Sequence, residues 1–271
     1  MAPVLTQTYS TPTRVNRLRS PHAGLERLGW AAASLATLGL LWHVSAELAQ
    51  SRYFPTPAAV FEVLRHEALN GALFTHVGAT LLRVVMAFTI AMFIGGAIGM
   101  LLGRFRTADR FFDTWLILVL NLPALVTITL SYVWLGMNGT AAVVAVAINQ
   151  IPNVAVTMRE GARSLSRDLA EMAQVYKFGP WRTFRHVILP QLAPFFAAAA
   201  RAGLALVWKI VLVVEALGGS GRGVGYQIYI AFGSFDVTTI LAYALAFIVI
   251  VQIIELTILQ PIQAKVNKWR R

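Results

Sequence analysis

Four ionisable side chains, Arg83, Arg201, Lys209 and Glu215, fall inside or at the edge of long apolar runs. An ion in hydrocarbon is costly, so each should face a bundle interior or a water-filled path. Two uses follow: a cation can steady an anionic solute in passage, or it can neutralise a neighbouring carboxylate. Arg83 and Glu215, near the ends of their runs, suit a structural pair. Lys209, flanked by Trp208 and Ile210, and Arg201 suit contact with an anion, the alternative for Lys209 being an ion pair with Glu215 or another carboxylate. Asn149, Gln150 and Asn153, around Pro152, interrupt a further apolar run. Such amides either bond across helices or line a polar pathway.

Catalytic chemistry finds no constellation. The 5 histidines are scattered without metal-ligand spacing, and there are 0 cysteines, which excludes disulfides and thiolate chemistry. No Ser–His–Asp set or carboxylate pair stands out. Gly218-Gly-Ser-Gly-Arg-Gly-Val-Gly225 lacks the Gly-Lys-Ser/Thr ending of a phosphate loop. It reads as a turn leading into a short helix. Neither catalytic nor metal-binding residues are expected.

The elements that position these residues follow from composition. Of 271 residues 57% are hydrophobic and 13% charged, about half the charged share of a soluble domain. Runs of about 20 apolar residues predict six membrane-spanning helices at 28–48, 77–103, 112–135, 139–158, 190–217 and 239–262. The organisation expected is a polar tail at 1–27 that does not read as a signal peptide, a six-helix domain at 28–262, and a basic tail at 263–271. Phe54-Pro-Thr-Pro57 and the stretch 58–69 read as a short helix on the membrane surface.

Basic residues set the orientation. With the N-terminus inside, 17 of the 23 Lys and Arg face the cytoplasm, clustered at 14–27, 104–110, 159–185 and 265–271. Only Arg52, Arg65 and Arg222 lie opposite. This asymmetry predicts both termini cytoplasmic. It explains the net charge of +11 without nucleic acid.

The loop 159–189 carries a second signal. Asp168 can cap a helix with Glu171 as its capping-box partner. Gly179 can end that helix, and Pro180 can open another. Leu169, Met172, Ala173 and Tyr176 form an apolar stripe outside the membrane, which calls for a partner surface.

Glu171, Ala173, Ile188, Leu189 and Pro190 resemble the EAA loop of binding-protein-dependent ABC importer permeases. The consensus has Gly at the position of Lys177 and a second Ala at that of Met172, so Gly179 is expected to make the turn instead. Phe54-Pro55-Thr56-Pro57, Thr80 to Val84, Gly95, Gly99, Gly103, Asn121 to Ala124, Trp134 to Gly136 and Glu215 with Gly221 to Tyr226 are similar to the nitrate, sulfonate, taurine and bicarbonate branch.

The resemblance implies a multi-pass protein of the bacterial inner membrane with the all-α, type I importer permease fold. It implies a coupling helix at the loop (Asp168, Leu169, Glu171, Met172, Ala173, Tyr176, Lys177, Gly179) and a path between two permease copies. Cytoplasmic ATPase subunits would bind ATP and Mg, an external binding protein would deliver the solute, and this chain would hold no cofactor. The expected solute is a small anion. The alternatives are a neutral pyrimidine of the thiamine-precursor type, or an ion-coupled secondary transporter, which should show inverted repeats.

Overall fold

A computed structural model describes residues 22–218 and 221–261, all helices and turns, with no strand among them. The tails expected at 1–27 and 263–271 lie outside the described residues, except where the first helix begins at His22. Of the described residues, those up to Gln50 form one compact unit and those from Ser51 onward a second.

The first unit holds α1 (His22–Ala49), 28 residues. At 1.5 Å per residue that is about 42 Å, longer than a hydrocarbon core of about 30 Å. Its apolar residues point outward along its length, Trp30, Leu38 and Leu48 among them.

In the second unit, Thr56 caps α2 (Pro57–Leu69), accepting from the Ala59 N–H with proline at the first turn. Glu62 and Arg65 pair on its exposed face, and this hydrogen bond and charge hold the Glu62 carboxyl below its ordinary range. On the other face Tyr243 donates to Glu67 at 2.6 Å. Then come α3 (Ala72–Arg104), α4 (Arg106–Leu120), α5 (Ala124–Leu135), α6 (Gly139–Arg163) and α7 (Arg167–Val175). A short α8 (Pro180–Thr183) runs through a wide π turn (Phe184–Ile188) into α9 (Leu189–Gly218), followed by α10 (Val224–Gly233) and α11 (Val237–Ile254).

Among the described residues, five helical stretches have the length and apolarity to cross a membrane, six if α4 and α5 count as one. The run 112–135, expected as one span, is broken, and its two halves meet at 91°. Pro123 offers no N–H and disfavours helical backbone at Leu122. Asn121 closes α4 by donating its side-chain amide to the Ile117 carbonyl at 2.8 Å. The fifth span also differs, continuing from Pro180 to Gly218 without a break at Pro190.

Glycines set the packing. On α3, a Cβ at Gly95 would lie 2.6 Å from the Ile151 carbonyl, and one at Gly99 would lie 2.7 Å from Met158 Cβ. α3 and α6 therefore touch backbone to backbone, as the four-residue glycine spacing predicts. α6 meets α9 through Gly161 against Phe195 and Gly203 against Gln150. Val84, Ala87, Val146, Val207, Val211 and Tyr243 fill the space among the helices. Tyr132, which its place near a span end predicts to be an interfacial anchor, is instead buried and donates to the Val214 carbonyl at 2.7 Å. Gly218 leaves room for its ring.

Candidate functional site

The loop between α6 and α8 is built by caps other than the expected ones. Ser166, not Asp168, caps α7: its Oγ accepts from the Leu169 N–H, while its own N–H donates to Gln191 Oε1 at 2.9 Å. Gln191, early in α9, thus takes the reciprocal part expected of Glu171, because the third helical position is Leu169. Asp168 sits in the first turn, where a carboxylate favours the helix dipole.

The far end of α7 is a Schellman turn. Phe178 N–H donates to the Ala173 carbonyl at 2.8 Å and Lys177 N–H to that of Gln174 at 2.9 Å. Lys177 itself takes the left-handed conformation, φ +52°. Gly179 is extended, φ −66°, and leads into α8 with Pro180 as its first residue. The turn therefore stays at Lys177, the position of the consensus glycine, and Gly179 does not replace it. Of the apolar stripe, Ala173 is buried, while Leu169 (40%), Met172 (36%) and Tyr176 (71%) are exposed. The stripe is a free surface held at one edge.

Glu215 is fully buried and paired. Arg83 Nη1 donates to its Oε1 at 2.5 Å and also to the Arg222 carbonyl at 2.7 Å. Thr80 Oγ1 and the Gly225 N–H donate to its Oε2 at 2.8 and 3.0 Å. The Val224 N–H reaches Thr80 Oγ1 and the Gly223 N–H reaches His76 Nδ1. The glycine-rich segment thus spends its backbone donors on acceptors of α3 and α9. Gly223, φ +138°, has no room for a Cβ, which would lie 2.5 Å from Glu215 Oε2.

Lys209 does not pair with Glu215, which Arg83 occupies, and it makes no ion pair among the described residues. It lines a cavity of about 400 Å³ between α9 and α11 with Arg201, Trp208, Phe247, Gln252 and Glu255. Arg201 Nη2 lies 3.9 Å from Glu255 Oε1.

Among the described residues, Asn149 and Asn153 make no hydrogen bond across helices. Their amides donate down α6 to the carbonyls of Ala145 and Asn149 at 3.0 and 3.2 Å, and Thr157 does the same to Asn153. The three form a half-buried polar stripe. Gln150 is the amide turned into the core, 1% exposed, and its Oε1 has no hydrogen-bond partner among the described residues.

Sequence reasoning missed one cluster. Arg159 bridges Asp109 (3.3 Å) and Asp113 (2.5 Å), and Arg163 joins Asp109 and Glu160. It ties the start of α4 to the end of α6. The signal was present as two i, i+4 pairs of like charge, the acidic Asp109/Asp113 and the basic Arg159/Arg163, each of which repels on its own helix and is relieved by facing the other.

The family model for the binding-protein-dependent transport system inner membrane component matches residues 89–265. The chain is 27% identical over 251 residues to the putative aliphatic sulfonates transport permease protein SsuC of Bacillus subtilis (strain 168), covering 91% of this chain and 90% of that protein. It is 25% identical to the taurine transport system permease protein TauC of Escherichia coli (strain K12), over 87% and 89% of the two chains. The bicarbonate transport system permease protein CmpB of Synechococcus elongatus is 22% identical, over 83% and 85%. The inward-facing MetNI methionine ABC transporter shares the fold, with a TM-score of 0.61 at 19% identity, covering 70% of this chain and 94% of the matched one. With its long apolar helices, its loop helix and the family match over most of its length, the chain belongs to the binding-protein-dependent transport system inner membrane components: it is an ABC transporter permease of the type I fold, a transport subunit and not an enzyme.

Proposed function

We propose that the chain imports a small anion of the sulfonate, taurine, bicarbonate, nitrate or carboxylate type, working as a pair of identical copies. An external binding protein delivers the solute, and two cytoplasmic ATPases, which bind ATP and Mg, drive alternating access through α7. Both termini are cytoplasmic, which places α7 inside and the Glu215 segment outside.

The observation that carries this reading is Lys209. It is a cation in mid-helix without an ion partner among the described residues, facing a cavity that also holds Arg201. A cation left without a counter-charge at membrane depth is costly unless it serves a solute or a water-filled path. Asn149, Asn153 and Thr157 add a half-buried polar stripe on α6. The names of the relatives, permeases for aliphatic sulfonates, taurine and bicarbonate, support a solute of this class. Arg83 and Glu215 hold the outer end of this path together and do not touch the solute.

The test is ligand-stimulated ATP hydrolysis in liposomes with the partner ATPase and binding protein, using nitrate, bicarbonate, taurine, alkanesulfonates, aromatic carboxylates and a neutral pyrimidine. Stimulation by one anion, lost in Lys209→Ala with the complex intact, supports the reading. Stimulation by the neutral compound alone overturns the anion assignment. Because the chain has 0 cysteines, single substitutions Arg106→Cys and Arg222→Cys report orientation with an impermeant thiol reagent. Labelling of position 106 from outside overturns it.

A further inference from the structure

Two concavities meet at Leu102, at the corner where α3 turns into α4. One, about 450 Å³, is lined only by apolar residues, including Ile98 and Phe105 on one wall, Phe112, Trp115 and Val119 on α4, and Ile151 of α6. The other, about 1120 Å³, lies between this corner and the α7–α8 loop. Arg104, Arg106, Arg163 and Arg167 line it, and Asp109 is its sole acidic residue. Asp109 is already taken by Arg159 and Arg163. Arg104, Arg106 and Arg167 are exposed and make no ion pair among the described residues.

We propose that this composite groove binds an anionic phospholipid of the surrounding membrane, its phosphate among Arg104, Arg106 and Arg167 and an acyl chain in the apolar groove. Charge complementarity and the apolar continuation argue together. Guanidinium groups match phosphate oxygens, and basic pockets between spanning helices on the cytoplasmic side suit anionic headgroups. A soluble phosphate would leave the apolar groove uncovered, and an acidic protein surface would not enter it. The cytoplasmic placement rests on the orientation proposed above. Because Arg167, Ala170 and Ala173 of α7 line the same groove, the headgroup would bridge the membrane-spanning body and the loop helix. Lipid charge would then tune how firmly α7 is held.

The test is lipid retention by the intact complex with its ATPase, measured by native mass spectrometry after detergent exchange with phosphatidylglycerol or phosphatidylcholine. The expected result is preferential retention of phosphatidylglycerol, falling about fivefold for each arginine removed in the series R104Q, R106Q and R167Q. Ala108→Trp, which fills the apolar groove and spares the arginines, should also release it. Equal retention of the two lipids by the unsubstituted complex overturns the proposal. So does the absence of phosphatidylglycerol from the intact complex, which leaves the arginines to the ATPase. Retention unchanged in Ala108→Trp but displaced by free glycerol phosphate assigns them to a soluble anion and overturns it too. Solute-stimulated ATP hydrolysis by the same preparation reports on the importer reading separately.

Discussion

Arg83 and Glu215, 132 positions apart in sequence, meet at 2.5 Å with the carboxylate wholly out of solvent. Two spanning helices and the glycine-rich segment converge on that contact. Removing either partner strands the other's charge, which costs about 3–5 kcal/mol in a buried pair. Glu215→Leu and Arg83→Met should each lower the thermal unfolding midpoint sharply. The double variant should be less harmful than the sum of the two. Additive losses in a thermal-shift cycle would show that the pair does not act as a unit.

Lys177 is an L-residue doing the work of a glycine. Left-handed backbone costs a non-glycine residue about 1–2 kcal/mol, so Lys177→Gly should stabilise the end of α7. Slower amide exchange at Lys177 and Phe178 is the readout. Faster exchange would mean that the lysine side chain contributes more than its backbone costs.

Gly99 has no space for a side chain: a Cβ there would lie 2.7 Å from Met158 Cβ and 3.0 Å from Arg159 N. Gly99→Val should overpack the α3–α6 seam by about 1–3 kcal/mol. Gly96, with nothing within 4 Å, is the control, and Gly96→Ala should be neutral. Similar losses at the two positions, read by thermal unfolding, would remove the seam from the argument.

The exposed Leu169, Met172 and Tyr176 are the proposed hold on the ATPase. Leu169→Asp or Tyr176→Asp should loosen copurification of that subunit by a hot-spot increment, about 2 kcal/mol or thirtyfold in affinity. Charge reversal at Glu171 should weaken it as well. Ala173 is buried against the body, so Ala173→Asp should destabilise the permease itself. An unchanged complex in the first two variants would mean that the ATPase docks elsewhere.

Much of this was legible from residue spacing. The glycine triplet on α3, the apolar lengths and the Arg83–Glu215 partnership all depend on periodicity or on the cost of a lone charge, both local properties of the sequence. What was not legible depended on who stands opposite. Ser166 could be recognised as a cap only with Gln191 beside it, 25 residues away. Tyr132 looked interfacial because of its position near a span end, yet a vacancy at Gly218 drew it inward. The break at Pro123 was written in the sequence, but an unbroken apolar run concealed it. Asn149 and Asn153 bond along their own helix, an option that composition does not distinguish from bonding to a neighbour.

The continuous helical path from Pro180 to Gly218, 39 residues, has a mechanical meaning. At 1.5 Å per residue it is a connecting rod of about 58 Å. One end is the α7–α8 corner and the other carries Glu215. Between them the hydrogen bonding departs from α-helical at the π turn, and Pro190 and Pro194 contribute no N–H to it. Under the coupling role proposed for α7, a displacement at that corner would reach the Arg83–Glu215 pair along this one helix, with the π turn at Phe184–Ile188 and Pro194 as the places where it can bend.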